Sequence, residues 1–113
     1  MTTDRDQRFE RLRTQYTQSL PAKHAALTAA WHAFAATPED ASLRRELSMQ
    51  LHRLSGSAGA YGHDAIGARA RAADQLVGDA ARGDVRQQLP VFEARVQAVL
   101  DELANTIASA PPA

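Results

Sequence analysis

An all-α fold is what this sequence predicts: an antiparallel up-down four-helix bundle preceded by an additional N-terminal helix. Three observations carry that expectation. No stretch alternates apolar and polar residues with the period of two that a half-buried strand needs. Aromatic residues make up only 5% of the chain, and Val, Ile and Thr, which favour strands, rarely cluster. Apolar residues instead recur at steps of three and four, in blocks joined by two to five residues, which suits antiparallel neighbours. Abundant Ala in those blocks implies helices that approach closely.

Taken in order, the first helix spans about Asp4 to Ser19, with Phe9, Leu12, Tyr16 and Leu20 as its apolar stripe. Pro21 marks a break or a new first turn. The second spans about Ala22 to Ala36 and turns Leu27, Ala30, Trp31 and Phe34 inward. Thr37-Pro38 ends it, because a residue before Pro resists the α region. The third begins near Pro38-Glu39-Asp40, with Thr37 as N-cap and Pro38 at the first position, and reaches Tyr61, where Gly62 stops it. The fourth covers about His63 to Ala81, with Ile66, Ala70, Ala73 and Val77 inside and Leu76 beside them. Arg82-Gly83-Asp84 makes a turn. The last carries Val85, Leu89, Phe92, Val96, Val99, Leu103 and Ile107 on one stripe; Pro90 either starts it or kinks it. The chain reads as a single domain over 1–113, ordered from about residue 5 to 109, with a flexible tail at 110–113.

Composition removes several function classes. Lys+Arg and Asp+Glu are both 13, so the basic excess of a nucleic-acid binder is missing. With no Cys, disulfides, thiol chemistry and Cys-based zinc sites are out. No apolar run approaches the roughly 20 residues needed to cross a bilayer, and Met1 to Glu10 is polar, unlike a signal peptide. A soluble, cytoplasmic monomer is expected.

The stretch that organises the rest is Leu51-His52-Arg53-Leu54-Ser55-Gly56-Ser57-Ala58-Gly59-Ala60-Tyr61-Gly62. Leu43, Leu47, Leu51, Leu54, Ala58 and Tyr61 share one helical face. At about 100° per residue, His52 falls roughly 150° from the middle of that face and points to solvent. Arg45, Ser48, Met49, Gly56 and Gly59 are its neighbours on the outer side. Gly within a helix costs about 0.5–1 kcal/mol relative to Ala, so the bare surface beside His52 is maintained at a cost and admits a close partner. The competing reading is an ordinary surface histidine near a helix end marked by glycines.

The run His52-x-Leu54-x-Gly56-Ser57-Ala58-x-x-Tyr61-Gly62 resembles the signature of histidine-containing phosphotransfer (HPt) domains, helical-bundle modules of phosphorelays. The likeness extends over about residues 8–108: Leu20-Pro21, Ala26-Leu27 and Trp31 are similar to the family's leading helices. Ala68-Arg69-Ala70-Arg71-Ala72-Ala73-Asp74 is similar to the helix after the motif, where an acidic or amide residue stands at the Asp74 position. The resemblance implies a phosphocarrier rather than an enzyme. His52 is then the phosphoacceptor, Ser55, Gly56, Gly59, Arg53 and Asp74 support it, and Arg45, Ser48 and Met49 dock the partner. Those partners are receiver domains of response regulators and hybrid histidine kinases, from whose aspartate the phosphoryl group arrives and to which it passes on. No cofactor is intrinsic; Mg²⁺ is expected in the receiver. Where the family often has Lys, this chain has Ser55, which removes a charge that would help hold the phosphoryl group. The alternative function is a docking module that binds a receiver or kinase without carrying phosphate.

The remaining candidates are weaker. Arg44, with Arg45 and Arg53, steers an acidic surface or simply solvates the helix, and Arg69 and Arg71 rank below them. Asp74 orients the imidazole or Ser55, or is a solvated acid. His24 reads as a partly buried structural residue, His32 as surface, and His63 as a local cap or surface residue. No metal site is expected, since His24 and His32 face differently.

Overall fold

The computed structural model describes residues 3–80 and 83–110. Among the described residues there are five helices: α1 (Asp4–Gln18), α2 (Leu20–Ala36), α3 (Ala41–Ala60), α4 (Asp64–Asp79) and α5 (Val85–Ser109). Helices α2, α3, α4 and α5 close a ring in which each packs against two others. Their inner faces are the stripes read from the sequence. Leu27 and Phe34 of α2, Leu47 and Leu51 of α3, Ile66 and Val77 of α4, and Phe92, Val96, Val99 and Leu103 of α5 are all essentially inaccessible. Burying each such side chain contributes about 1.5–3 kcal/mol. Phe34 and Phe92 meet edge to face at 5.9 Å in the middle of this core. The expected end of α4 at Ala81, Arg82 of the following turn, and residues 111–113 of the tail lie outside the described residues.

Three boundaries differ from expectation. α3 is capped by Asp40, not Thr37: the Asp40 carboxylate accepts from the backbone N–H of Ser42 and Leu43. Thr37 instead closes α2, and Pro38 is sunk into the core as a plug in the turn between them. A buried proline ring fixes the turn more firmly than it would open a helix. The second difference is at Ser19, which keeps helical dihedrals between α1 and α2. Pro21 lies in the first turn of α2, which begins at Leu20. The third is α5, which starts at Val85, capped by Asp84, and runs through Pro90. The missing N–H at Pro90 deprives the Arg86 carbonyl of its helical donor, but both residues are exposed, so water can replace it.

α1 departs most from its predicted stripe. Tyr16 is its one buried residue, and Phe9 and Leu12 stay 46% and 43% exposed. This helix caps the turn between α3 and α4 through an aromatic ladder. Tyr16 stacks on Tyr61 at 4.8 Å and on His63 at 5.9 Å, and Phe9 stacks on the other side of Tyr61 at 6.2 Å. The Tyr16 hydroxyl bonds Ser57 Oγ at 2.7 Å, and Thr17 Oγ1 lies 3.2 Å from His63 Nε2. The α3–α4 turn itself depends on Gly62, whose φ of 84° is open to glycine at little cost. Its N–H reaches Gly59 O, and His63 N–H reaches Ala58 O at 2.8 Å, which is the Schellman pattern.

Partial burial, and then the Arg13 charge, hold the His63 imidazole below its ordinary pKa. A depressed imidazole binds its proton more weakly folded than unfolded. Its contribution to stability is therefore present above the ordinary value of about 6.5 and is lost as pH falls through the lower folded value. The melting temperature is expected to fall on acidification through this window, above the carboxylate range, and His63→Gln is expected to flatten that fall. Parallel melting curves against pH for the two proteins would refute the assignment.

Candidate functional site

Leu47, Leu51, Leu54 and Ala58 lock the roll of α3 against the core, and His52, on the opposite side, is carried outward with its side chain 80% exposed. Around it the surface is low. Gly56 and Gly59 are exposed, and a Cβ added at either would meet nothing within 4 Å. Arg45, Met49 and Arg53 are exposed around the same face. On the α2 side, a groove of about 590 Å³ runs past Arg53 and Gln50, with Lys23 and Glu46 on its rim and Leu27 and Leu54 on its floor.

α4 supplies the other flank. His52 Nδ1 lies 3.5 Å from Asp74 Oδ2, and the Ser48 hydroxyl donates to Asp74 Oδ1 at 2.6 Å. One carboxylate thus meets two residues a helical turn apart on α3. The Asp74 side chain is only 22% exposed, so it is held within the α3–α4 seam. From the sequence, Asp74 orients the His52 imidazole, orients Ser55 or is a solvated acid. It meets His52, while the Ser55 hydroxyl turns back to the His52 carbonyl at 2.8 Å. Ser48, read as part of the docking face, is half-buried with its hydroxyl committed to Asp74.

What brings α4 so close is Gly67, which the sequence reading did not single out. It is buried, and a Cβ there would lie 3.1 Å from the Ser55 carbonyl oxygen and 3.4 Å from the Gly59 nitrogen. Gly67 faces Ser55 and Gly59, and Asp74 faces His52 and Ser48, so the two helices run antiparallel in a register that the glycine contact sets. The one available signal was a glycine inside a helical block, two turns before an acidic residue.

Other candidates fall away from this face. Arg69 pairs with Glu102 of α5 at 3.5 Å, and Arg71 is exposed. His24 is half-buried, with no ring hydrogen bond among the described residues, and His32 is exposed. Among the described residues no group of three or more His, Asp or Glu side chains could hold a metal ion, and no helix is long and apolar enough to cross a membrane.

Chemically, the arrangement favours one tautomer. A carboxylate 3.5 Å from Nδ1 favours a proton on that nitrogen, and the lone pair then falls on Nε2. Neither a search of the curated proteins nor one of the solved structures finds a significant match. A model of the Hpt domain does match, over residues 11–108. That range takes in α2, α3, α4 and nearly all of α5, together with His52, Ser48, Gly67 and Asp74. The chain therefore belongs to the Hpt domain family, whose members are phosphocarriers that meet receiver domains in phosphorelay signalling.

Proposed function

We propose that His52 is the phosphoacceptor, taking a phosphoryl group from the aspartyl phosphate of one receiver domain and passing it to the aspartate of another. The observation that carries this reading is the pairing at His52: an outward imidazole with a carboxylate at Nδ1, on a surface kept low by Gly56 and Gly59. In the transfer, the Nε2 lone pair attacks phosphorus and an N–P bond forms. The acyl P–O bond breaks, and its electrons leave with the partner's carboxylate. The Nδ1 proton stays on the ring, which becomes cationic, and Asp74 offsets that charge. The reverse step returns the phosphoryl group to a receiver. Arg45 and Arg53 steer the acidic face of the partner, and Met49 adds an apolar contact. Mg²⁺ belongs to the receiver. The carrier works as a cytoplasmic monomer.

The reading is tested by incubation with a phosphorylated receiver, which should leave acid-labile, alkali-stable phosphate on the protein. A folded protein that binds the receiver yet takes no phosphate from any donor would be a docking module instead. Docking is tested separately at Gly56. Reacting atoms must approach within about 3–3.5 Å, and a long side chain beside the imidazole holds the receiver off. Gly56→Gln is expected to keep its fold, because that position opens to solvent. It should lose transfer from a receiver steeply while phosphoramidate still modifies His52. Equal loss with both donors, in proportion to unfolding, would sink this account of the bare surface.

A further inference from the structure

Ser48 occupies an unusual place for a residue on the outer side of α3. It sits one turn before His52, half-buried, and its hydroxyl donates to Asp74 Oδ1 at 2.6 Å, shorter than the 3.5 Å between Asp74 Oδ2 and His52 Nδ1. The shorter contact is the stronger restraint. A carboxylate on two rotatable bonds has several orientations within a seam, and the imidazole is too exposed to select among them. A hydroxyl bound to one oxygen fixes the plane of the carboxylate and so directs the second oxygen at Nδ1. Asp74 reaches α3 from a neighbouring helix, so its aim would otherwise vary with every small slide between α3 and α4.

We infer that Ser48 is a positioning residue for phosphotransfer: through Asp74 it holds the Nδ1–H tautomer of His52 and thereby keeps Nε2 free to attack phosphorus. This rests on the proposed role of His52. Ser48 touches neither the phosphoryl group nor the reacting nitrogen. It acts on the population of the reactive imidazole, and on the carboxylate that balances the cationic phosphoimidazole after transfer.

The full chain is labelled with ¹⁵N, and the His52 tautomer is read from long-range ¹H–¹⁵N correlations in the wild type, Ser48→Ala and Ser48→Thr. Phosphorylation rates with phosphoramidate are measured beside them, corrected for the folded fraction. Ser48→Ala is expected to lower the Nδ1–H population and slow phosphorylation by roughly 10-fold, the rate equivalent of a hydrogen bond to a charged group. Ser48→Thr, which keeps the hydroxyl, is expected to restore both. In an Asp74→Asn background, Ser48→Ala should add no further slowing. A Ser48→Ala protein with wild-type tautomer and rate overturns the inference, as does slowing that persists undiminished in the Asp74→Asn background. Failure of the wild type to take phosphate counts against the role of His52 instead, and the tautomer measurement still decides whether Ser48 positions the ring.

Discussion

His52→Gln is expected to take up no acid-labile, alkali-stable phosphate from either a phosphorylated receiver or phosphoramidate, while melting almost as the wild type does. Glutamine offers no ring nitrogen with a free lone pair, so no N–P bond can form. The fold barely notices the change, because the imidazole is 80% exposed and faces away from the core. Exposed substitutions of this kind shift stability by less than about 0.5 kcal/mol. The Ser48–Asp74 hydrogen bond remains to hold the seam. Phosphate retained on His52→Gln, located by mass spectrometry to another residue, would overturn the assignment of the acceptor. Loss of phosphate together with loss of helicity would show that His52 supports the fold, which its position contradicts.

The second large effect is expected at Gly67. Gly67→Leu forces a branched side chain into a space where even a Cβ would press on the backbone of Ser55 and Gly59. Backbone in the C-terminal turns of α3 cannot step aside as a flexible side chain can, so α4 must move away as a whole. The expected cost is about 3 kcal/mol, the upper end of ordinary overpacking. Asp74 moves out with the helix that carries it, so phosphotransfer per folded molecule should fall as well. Denaturant unfolding and phosphoramidate kinetics on the same sample measure the two losses. A variant with wild-type stability would mean that the α3–α4 spacing is not set here. Gly56→Ala is the matched control: nothing lies within 4 Å of its added carbon, and it should gain up to about 1 kcal/mol in helix propensity.

Much of this architecture was readable because helices announce themselves by period. The Leu47, Leu51, Leu54 and Ala58 stripe identified the buried face of α3 and, by subtraction, placed His52 outside. The same logic found the inner faces of α2, α4 and α5. Periodicity overreached at α1, where Phe9 and Leu12 belong to the apolar stripe but extend past the core that would cover them. It placed the cap of α3 at Thr37, whereas Asp40, three residues on, makes the capping bonds. Burial of Pro38, a tertiary fact, decided between them.

At the site, a wheel tells which way a residue faces but not which residue of another helix it meets. Asp74 came from the family resemblance and not from its own surroundings. Gly67 and the hydroxyl of Ser48 were missed because their roles exist only across the α3–α4 seam. A buried glycine and a half-buried serine look, in one dimension, like a weak helix position and a solvated one.

The exposure of His52 on a continuous, well-packed helix sets the timekeeping of the proposed relay. No segment needs to open before a receiver arrives, so in the proposed relay no conformational step of the bundle precedes loading or unloading. A phosphoryl group parked there meets bulk water between encounters, with no protein wall around it. How long the signal persists is then governed by the slow intrinsic hydrolysis of the N–P bond and by the supply of receivers. In the proposed relay the bundle is a passive store, emptied slowly by water and otherwise by the receivers it meets.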